Sequence, residues 1–197
     1  MNRTIVIYGA SGHGKVIADI AGKRGYGDIL FYDDDPEKKT IGGHRILHEF
    51  PEGDYDIVVA IGENATRQLV SERLDRRSVT MIHPDAVVAD DVQIGEGSVV
   101  MAGAVINPGT VIGKGVIVNT YASLDHDNRI GDYAHVSVNA HTAGTVSVGE
   151  RTFIGMGSNV INNITICADV TVGAGSLVIR DIEEKGTYAG SPVRKIR

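Results

Sequence analysis

A single cysteine, no tryptophan and an aromatic content of only 5% set the first limits on this 197-residue chain. The lone Cys167 excludes an intrachain disulfide and a thiolate zinc cluster, and it reads as a small core hydrophobe. With so few aromatics the core has to be assembled from small aliphatic side chains, while 25 glycines point to tight turns. Positive charge is also in short supply. Nineteen Lys and Arg against 25 Asp and Glu leave a net charge of -6, which argues against a nucleic-acid surface. Small anions stay admissible, because backbone N–H groups can hold them locally. No apolar run reaches the ~18–20 residues of a membrane-spanning helix. The strand-like TIVIY near the start carries no signal-peptide pattern, so a cytoplasmic protein that inserts in no membrane is expected.

Two periods divide what is present. Residues 4–8 (TIVIY) are β-branched and apolar, GASGHGK follows, and Val16, Ile17, Ile20 and Ala21 then recur at helical spacing. ILFYDDD reads as a second strand ending at Asp33 and Asp34, YDIVVAIG as a third, and NATRQLVSERL as a helix. Strands alternating with helices predict a small parallel, Rossmann-like α/β domain over residues 1–80.

From residue 81 the helical period gives way to a period of six. Every sixth residue from Ile82 to Val178 makes seventeen positions, sixteen of them aliphatic and the other Thr142, without an insertion. Two residues earlier stands a small or modest side chain (Ala86, Val92, Ser98, Ala104, Thr110, Val116, Ala122), a series broken by Asn128. Gly follows the aliphatic at 95, 113, 131, 149, 155 and 173, where it is expected to relieve the backbone at a corner. Such a hexapeptide repeat specifies a parallel β-helix over 81–197: three six-residue sides make an 18-residue coil, and coils stack about 4.8 Å apart. Residues 18 apart then share a column, which puts Gly144 directly over His126. His135, nine residues on, lies half a coil away from it.

The segments IYGASGHGKV, VAIGEN…R, HDNRIGDYAHVSV and GSPVRKI together resemble the hexapeptide-repeat sugar acetyltransferases of the sialic-acid and bacillosamine pathways. Within that family the pattern is most similar to the UDP-4-amino-sugar N-acetyltransferases. The resemblance spans essentially the whole chain and implies a left-handed coil, a sense that spacing alone does not give. It implies acetyl-CoA as cosubstrate, a UDP-linked amino sugar as acceptor, and a homotrimer with sites in the clefts between subunits. His126 matches the family's general base, and Asp127 the carboxylate that modulates it, where the longer Glu is common. Asn119, His135, Gly144 and Gly173 match positions that contact substrate or acetyl-CoA, Gly144 being the amide that holds the thioester carbonyl.

A Gly-rich turn opening a helix can cradle phosphates and a strand-end carboxylate can bind ribose hydroxyls, which admits NAD although nothing nearby offers hydride chemistry; the resemblance instead implies a nucleotide sugar at Gly9, Ser11, Gly12, His13, Asp33, Asp34, Gly62 and Asn64. GASGHG is not the strict dinucleotide spacing, and Gly62-Glu63-Asn64 stands where Asn-Asn commonly follows the glycine. A structural turn is the competing reading. His141 is expected at the surface, and His44, His48 and His83 are read as structural or solvated. No metal is expected: the γ-class carbonic anhydrases, built on the same repeat, set two histidines five apart with a third two coils earlier, whereas His126, His135 and His141 are spaced nine and six. O-acetylation of sialic acid or another sugar hydroxyl, and a non-catalytic nucleotide-sugar-binding trimer, are the alternatives.

Overall fold

The computed structural model describes residues 3–74 and 76–197. In the first half, β1 (Arg3–Tyr8), α1 (Gly12–Lys23), β2 (Tyr26–Tyr32), β3 (Thr40–Ile41), β4 (His44–Leu47), β5 (Asp56–Val59) and α2 (Asn64–Arg73) follow one another. The sheet runs β3-β4-β2-β1-β5, parallel except for the β3–β4 pair. Because β1 pairs with β2 on one side and β5 on the other, the turns after β1 and β5 bound a crevice at the strand C-termini, where open α/β sheets take ligands. The glycines of GASGHG have a packing reason. Gly9 sits at φ +118, and a Cβ on Gly14 would strike the Gly9 carbonyl and lie 3.1 Å from the Phe31 ring. α1 buries Ile17, Ile20 and Ala21, the helix-spaced residues, against the sheet, while Val16 stays 41% exposed.

The period of six becomes seventeen two-residue or three-residue strands, one per hexad. They form three faces. Face one starts at Met81–Ile82 and includes Ile117–Val118 and His135–Val136; face two starts at Val87–Val88 and includes Ser123–Leu124 and His141–Thr142; face three starts at Gln93–Ile94 and includes Arg129–Ile130. Pairing is parallel with an offset of 18 residues throughout, as in Ile117 with His135 and Ser123 with His141. The second residue of each strand faces inward, so Val100, Val118, Leu124, Val136 and Ile154 form a continuous core with Ala104, Ala122 and Ala140 beneath the corners. A C-terminal hairpin, Gly186–Gly190 and Val193–Lys195, extends face one.

The glycines that follow the aliphatics do not make the corners. Left-handed φ falls two residues later, at Gly97, Gly103, Gly109 and Gly115, and then on Tyr121, Asp127, Tyr133, Asn139, Thr145 and Arg151 at φ 53–60. Gly95, Gly113, Gly131 and Gly149 answer to a different constraint: a Cβ there would enter the backbone of the next coil, as on Gly131, where it would lie 2.7 Å from Glu150 N. Close stacking, not turn strain, requires them.

The outward side chains at the start of face one are covered. Met81, Val99 and Ile117, with Met101 at the next corner, are at most 2% exposed and share one core with Ile17, Ile20 and Val58 of the first half. At roughly 1.5–3 kcal/mol per buried side chain this docking holds the sheet crevice against face one. Cys167 is half-buried and packs partly against the coil core.

Candidate functional site

The corner between faces two and three carries Asp125-His126-Asp127. Asp127 takes left-handed φ 59, which turns its carboxylate back so that Oδ2 accepts from His126 Nδ1–H at 2.8 Å. A carboxylate can only accept, so the proton lies on Nδ1 and Nε2 keeps its lone pair. That Nε2 faces Gly144 one coil on: a Cβ there would lie 2.5 Å from it. The column read from the sequence is therefore present without an intervening loop, and Thr145 N–H donates to His126 O at 2.9 Å in the regular ladder. Ala143 N–H donates to Val160 O, and among the described residues the Gly144 N–H takes no part in the ladder. The His126 pKa is raised, first by the hydrogen bond to Asp127 and then by the charge of Asp125. Asp125 is itself fixed by Asn107 Nδ2 at 2.8 Å and by the His126 N–H at 2.8 Å.

Under this corner lies Asn128, the residue that breaks the small-side-chain series. It is fully buried, and its Nδ2 donates to Asp125 O at 2.6 Å, Ala143 O at 2.9 Å and His126 O at 3.3 Å. One amide thus ties together the two rungs that bear His126 and Gly144. Beside them a pocket of about 540 Å³ on face two is lined by Ser123, Asp125, His141, Ala143 and Asn159. His141, half-exposed in its wall, meets Ser123 Oγ at 2.7 Å.

His135 stands elsewhere. On face one, 8% exposed, it is enclosed by the first half of the chain and meets the Phe153 ring edge-on at 5.1 Å. Asn119 Oδ1 accepts from Thr120 N–H at 2.8 Å, which points Asn119 Nδ2 at His135 Nε2, 3.0 Å away. Nε2 is then an acceptor and the ring proton sits on Nδ1. Nδ1 lies near the Gly62 backbone without a hydrogen bond of good geometry. His13, on the first turn of α1, likewise leaves Nε2 buried and unpartnered among the described residues. Burial, then the nearby Arg67 charge, lowers the His13 pKa to about 4; burial, Arg67 and His13 lower that of His135 to about 3. Both rings are neutral at physiological pH. A pocket of about 310 Å³ beside them is lined by Gly62, Glu63, Asn64, Arg151, Phe153 and Thr171.

The remaining sequence-expected residues divide. Gly9, Ser11, Gly12 and Gly62 border the crevice, and the Ser11 side chain, at the N-cap of α1, makes no capping bond. Asp33 accepts from Ala10 N–H and Lys38 Nζ, both at 2.8 Å, and from Asp35 N–H at 3.0 Å. Burial works to raise its pKa, but Lys38 and the two N–H groups together hold it below the ordinary carboxylate value. Asp34 accepts from the hydroxyls of Tyr8 at 2.5 Å and Tyr32 at 3.0 Å, at the edge of a Tyr8–Tyr32–Phe50 ring cluster. Asn64 is committed to structure, donating to Arg151 O and accepting from Arg67, each at 2.8 Å. Gly173 is too: its N–H goes to Tyr188 O and its carbonyl accepts from Ser158 Oγ. Arg67, quoted in VAIGEN…R but given no role, proves central to the crevice, and nothing in its own neighbourhood of sequence signals that. One chain does not bring His126 and His135 together, as their half-coil spacing requires. Among the described residues no group of three His, Cys, Asp or Glu is placed to hold a metal ion.

Two family models match: PglD N-terminal domain over residues 4–74 and bacterial transferase hexapeptide (six repeats) over residues 78–108. The UDP-N-acetylbacillosamine N-acetyltransferase of Bacillus subtilis (strain 168) is 39% identical over 112 residues, covering 51% of this chain and 52% of that protein. The chain thus spans about half the length of the curated relatives it matches, the GDP-perosamine N-acetyltransferase of Escherichia coli O157:H7 being covered over 58% at 29% identity. Among solved structures, the acetyltransferase domain of PglB from Neisseria gonorrhoeae FA1090 in complex with acetyl coenzyme A superposes with a TM-score of 0.93 at 38% identity, over 100% of both chains. PerB from Caulobacter crescentus in complex with CoA and GDP-perosamine gives 0.89 at 37% identity, over 98% of this chain and 96% of that one. The two docked halves, the uninterrupted repeat and the matched segments have one origin: the chain belongs to the hexapeptide-repeat sugar acetyltransferases that carry a PglD N-terminal domain.

Proposed function

We propose that this protein transfers the acetyl group of acetyl-CoA to the 4-amino group of a UDP-linked amino sugar of the bacillosamine type. The observation that carries the proposal is the His126 Nε2 lone pair held against Gly144, with Asp127 on the opposite ring nitrogen. As the sugar nitrogen attacks the thioester carbonyl, His126 Nε2 takes a proton from it and Asp127 stabilises the imidazolium. The Gly144 N–H receives the developing oxyanion. Collapse breaks the C–S bond, and the proton on His126 passes to the departing thiolate, leaving free CoA and the amide. No acyl-enzyme is required.

The first half, residues 1–80, takes the nucleotide sugar in the switch-point crevice, and residues 81–197 supply the acetyl-transfer corner. A homotrimer reconciles the two: Tyr121, Val138 and Met156 leave an exposed apolar strip along the corner between faces one and two, suited to a neighbouring prism. The cleft between copies would bring one subunit's crevice toward another's His126. Names of relatives that act on UDP- and GDP-linked amino sugars favour an amine acceptor over a hydroxyl. The deciding assay follows free-thiol release from acetyl-CoA with a UDP-4-amino sugar, with free sialic acid, and with no acceptor. Release with the amino sugar alone is expected; release only with sialic acid, or with neither, rejects the reading.

A further inference from the structure

Arg67 is 1% exposed, and among the described residues its guanidinium forms no ion pair, the charge of Glu63 acting on it only through space. Its nitrogens donate to oxygens from three separate segments. Nε reaches Gly115 O at 2.7 Å, Nη1 reaches Ile61 O at 3.0 Å and Gly62 O at 3.2 Å, and Nη2 reaches Tyr133 O at 2.6 Å and Asn64 Oδ1 at 2.8 Å. A buried cation held only by neutral oxygens is an expensive way to join two halves that Met81, Val99 and Ile117 already join by burial. The placement of its acceptors gives the reason. Ile61 and Gly62 form the turn on one side of the crevice, and Tyr133 lies two residues before His135. All five N–H donors are used, so the guanidinium cannot itself contact a ligand. Close enough to feel its charge are the buried rings of His13 and His135, whose Nε2 and Nδ1 are the two buried ring nitrogens left without partners among the described residues.

We propose that Arg67 is a positioning residue of the crevice: it locks the Gly62 turn to the coil corner ahead of His135, and so presents His13 Nε2 and His135 Nδ1–H as a paired hydrogen-bonding site for one oxygen of the bound nucleotide sugar. The identity of the ligand rests on the function proposed above; the arrangement of the two imidazoles does not. The Asn119 contact fixes His135 as the donor, so the ligand atom it receives is an acceptor. The charged and titratable groups facing the two rings are Arg67 from α2 and each ring facing the other, with Asn119 and Phe153 completing the enclosure.

The test uses the whole protein with Arg67→Lys and Arg67→Met. Lys keeps the charge but cannot span the three segments; Met removes both. Imidazole nitrogen NMR reads the rings without any ligand. Wild type should show His135 as the Nδ1–H tautomer and both rings neutral at pH 6. Arg67→Met should raise both titration midpoints, and Arg67→Lys should perturb the ring signals with the fold retained. Unchanged ring signals in folded Arg67→Lys overturn the proposal, even if Arg67→Met fails to fold. Calorimetry with UDP and, separately, GDP gives the second reading. Affinity should fall about tenfold or more in Arg67→Lys while the KM for acetyl-CoA stays within about threefold, a split that general loosening would not produce. Equal losses for both substrates overturn the proposal. Absence of UDP and GDP binding by wild type would count against the nucleotide-sugar reading, and the ring signals would still decide the role of Arg67.

Discussion

His126 Nε2 and residue 144 occupy one column of the β-helix a single coil apart, so close that a Cβ on residue 144 would lie 2.5 Å from the ring nitrogen. Gly144 does not have left-handed φ, so alanine is tolerated by the backbone there. The atom it would meet belongs to a side chain that is 56% exposed and free to swing outward. Gly144→Ala should therefore leave the unfolding midpoint nearly unchanged while displacing the proposed base, with kcat falling about 10²-fold. His126→Ala should lose at least as much. Retained kcat in folded Gly144→Ala would show that the column is not where the chemistry happens.

With His126 as the proposed base, the acid limb of the pH profile is expected to report it. Its pKa is raised, mainly by the Asp127 hydrogen bond and then by Asp125. The base must be neutral to act, so activity rises with pH through that pKa. Asp127→Asn removes the larger cause, and the limb in kcat/KM should move to lower pH, with a lower plateau from the loss of ring orientation. A limb that stays in place would assign the shift to Asp125.

The repeat was legible because its signal is arithmetic: a phase of six held from Ile82 to Val178, and the column of His126 and Gly144 followed from counting. The separation of His126 from His135 followed the same way. What spacing did not reveal was long-range backbone chemistry. Arg67 draws its acceptors from Gly115 and Tyr133, 48 and 66 residues away, and backbone carbonyls leave no mark in sequence. The corner reading went astray because glycine suggests a strained turn, whereas residues such as Tyr121, Asp127 and Arg151 bear the positive φ and the glycines mark close coil stacking. Asn64 looked available for a ligand because its helix position was visible but its bond to Arg151 O was not.

That distinction among glycines is measurable. Gly131→Ala would set a methyl group 2.7 Å from Glu150 N and 2.9 Å from Gly149 C, both backbone atoms that cannot move without opening the coil. Overpacking of this kind costs about 1–3 kcal/mol, read as a lower midpoint in denaturant unfolding. Gly157→Ala, at φ +66 with nothing within 4 Å, should cost less, since its penalty is conformational alone. Equal costs would reject stacking as the constraint.

Asp33 links the crevice to stability. Its folded pKa lies below the ordinary value, so it contributes stability above the unfolded pKa of about 3.9, and that contribution is lost as pH falls through the folded pKa. Asp33→Asn should lower the melting temperature at pH 7, and the gap from wild type should close toward acid pH. A gap independent of pH would mean that packing, not the bonds to Lys38 and Ala10 N–H, is what the carboxylate supplies.

Asn128 gives the most direct separation of structure from chemistry at the corner. It is the one polar amide among the small residues beneath the repeat, and its Nδ2 holds carbonyls on both rungs of the His126–Gly144 column. Asn128→Ala leaves Ala143 O without its side-chain donor, while Asp125 O and His126 O keep Thr110 Oγ1 and Thr145 N–H, so the expected cost is about 1–3 kcal/mol for the one unsatisfied group. Asn128→Asp keeps the shape but presents acceptors to acceptors, so it should be the more destabilising of the two. Since neither variant touches a reacting atom, loss of kcat in folded Asn128→Ala measures how far rung-to-rung spacing at this corner governs transfer. Full activity at reduced stability would mean that the Asp127 and Asp125 bonds alone hold the base in place.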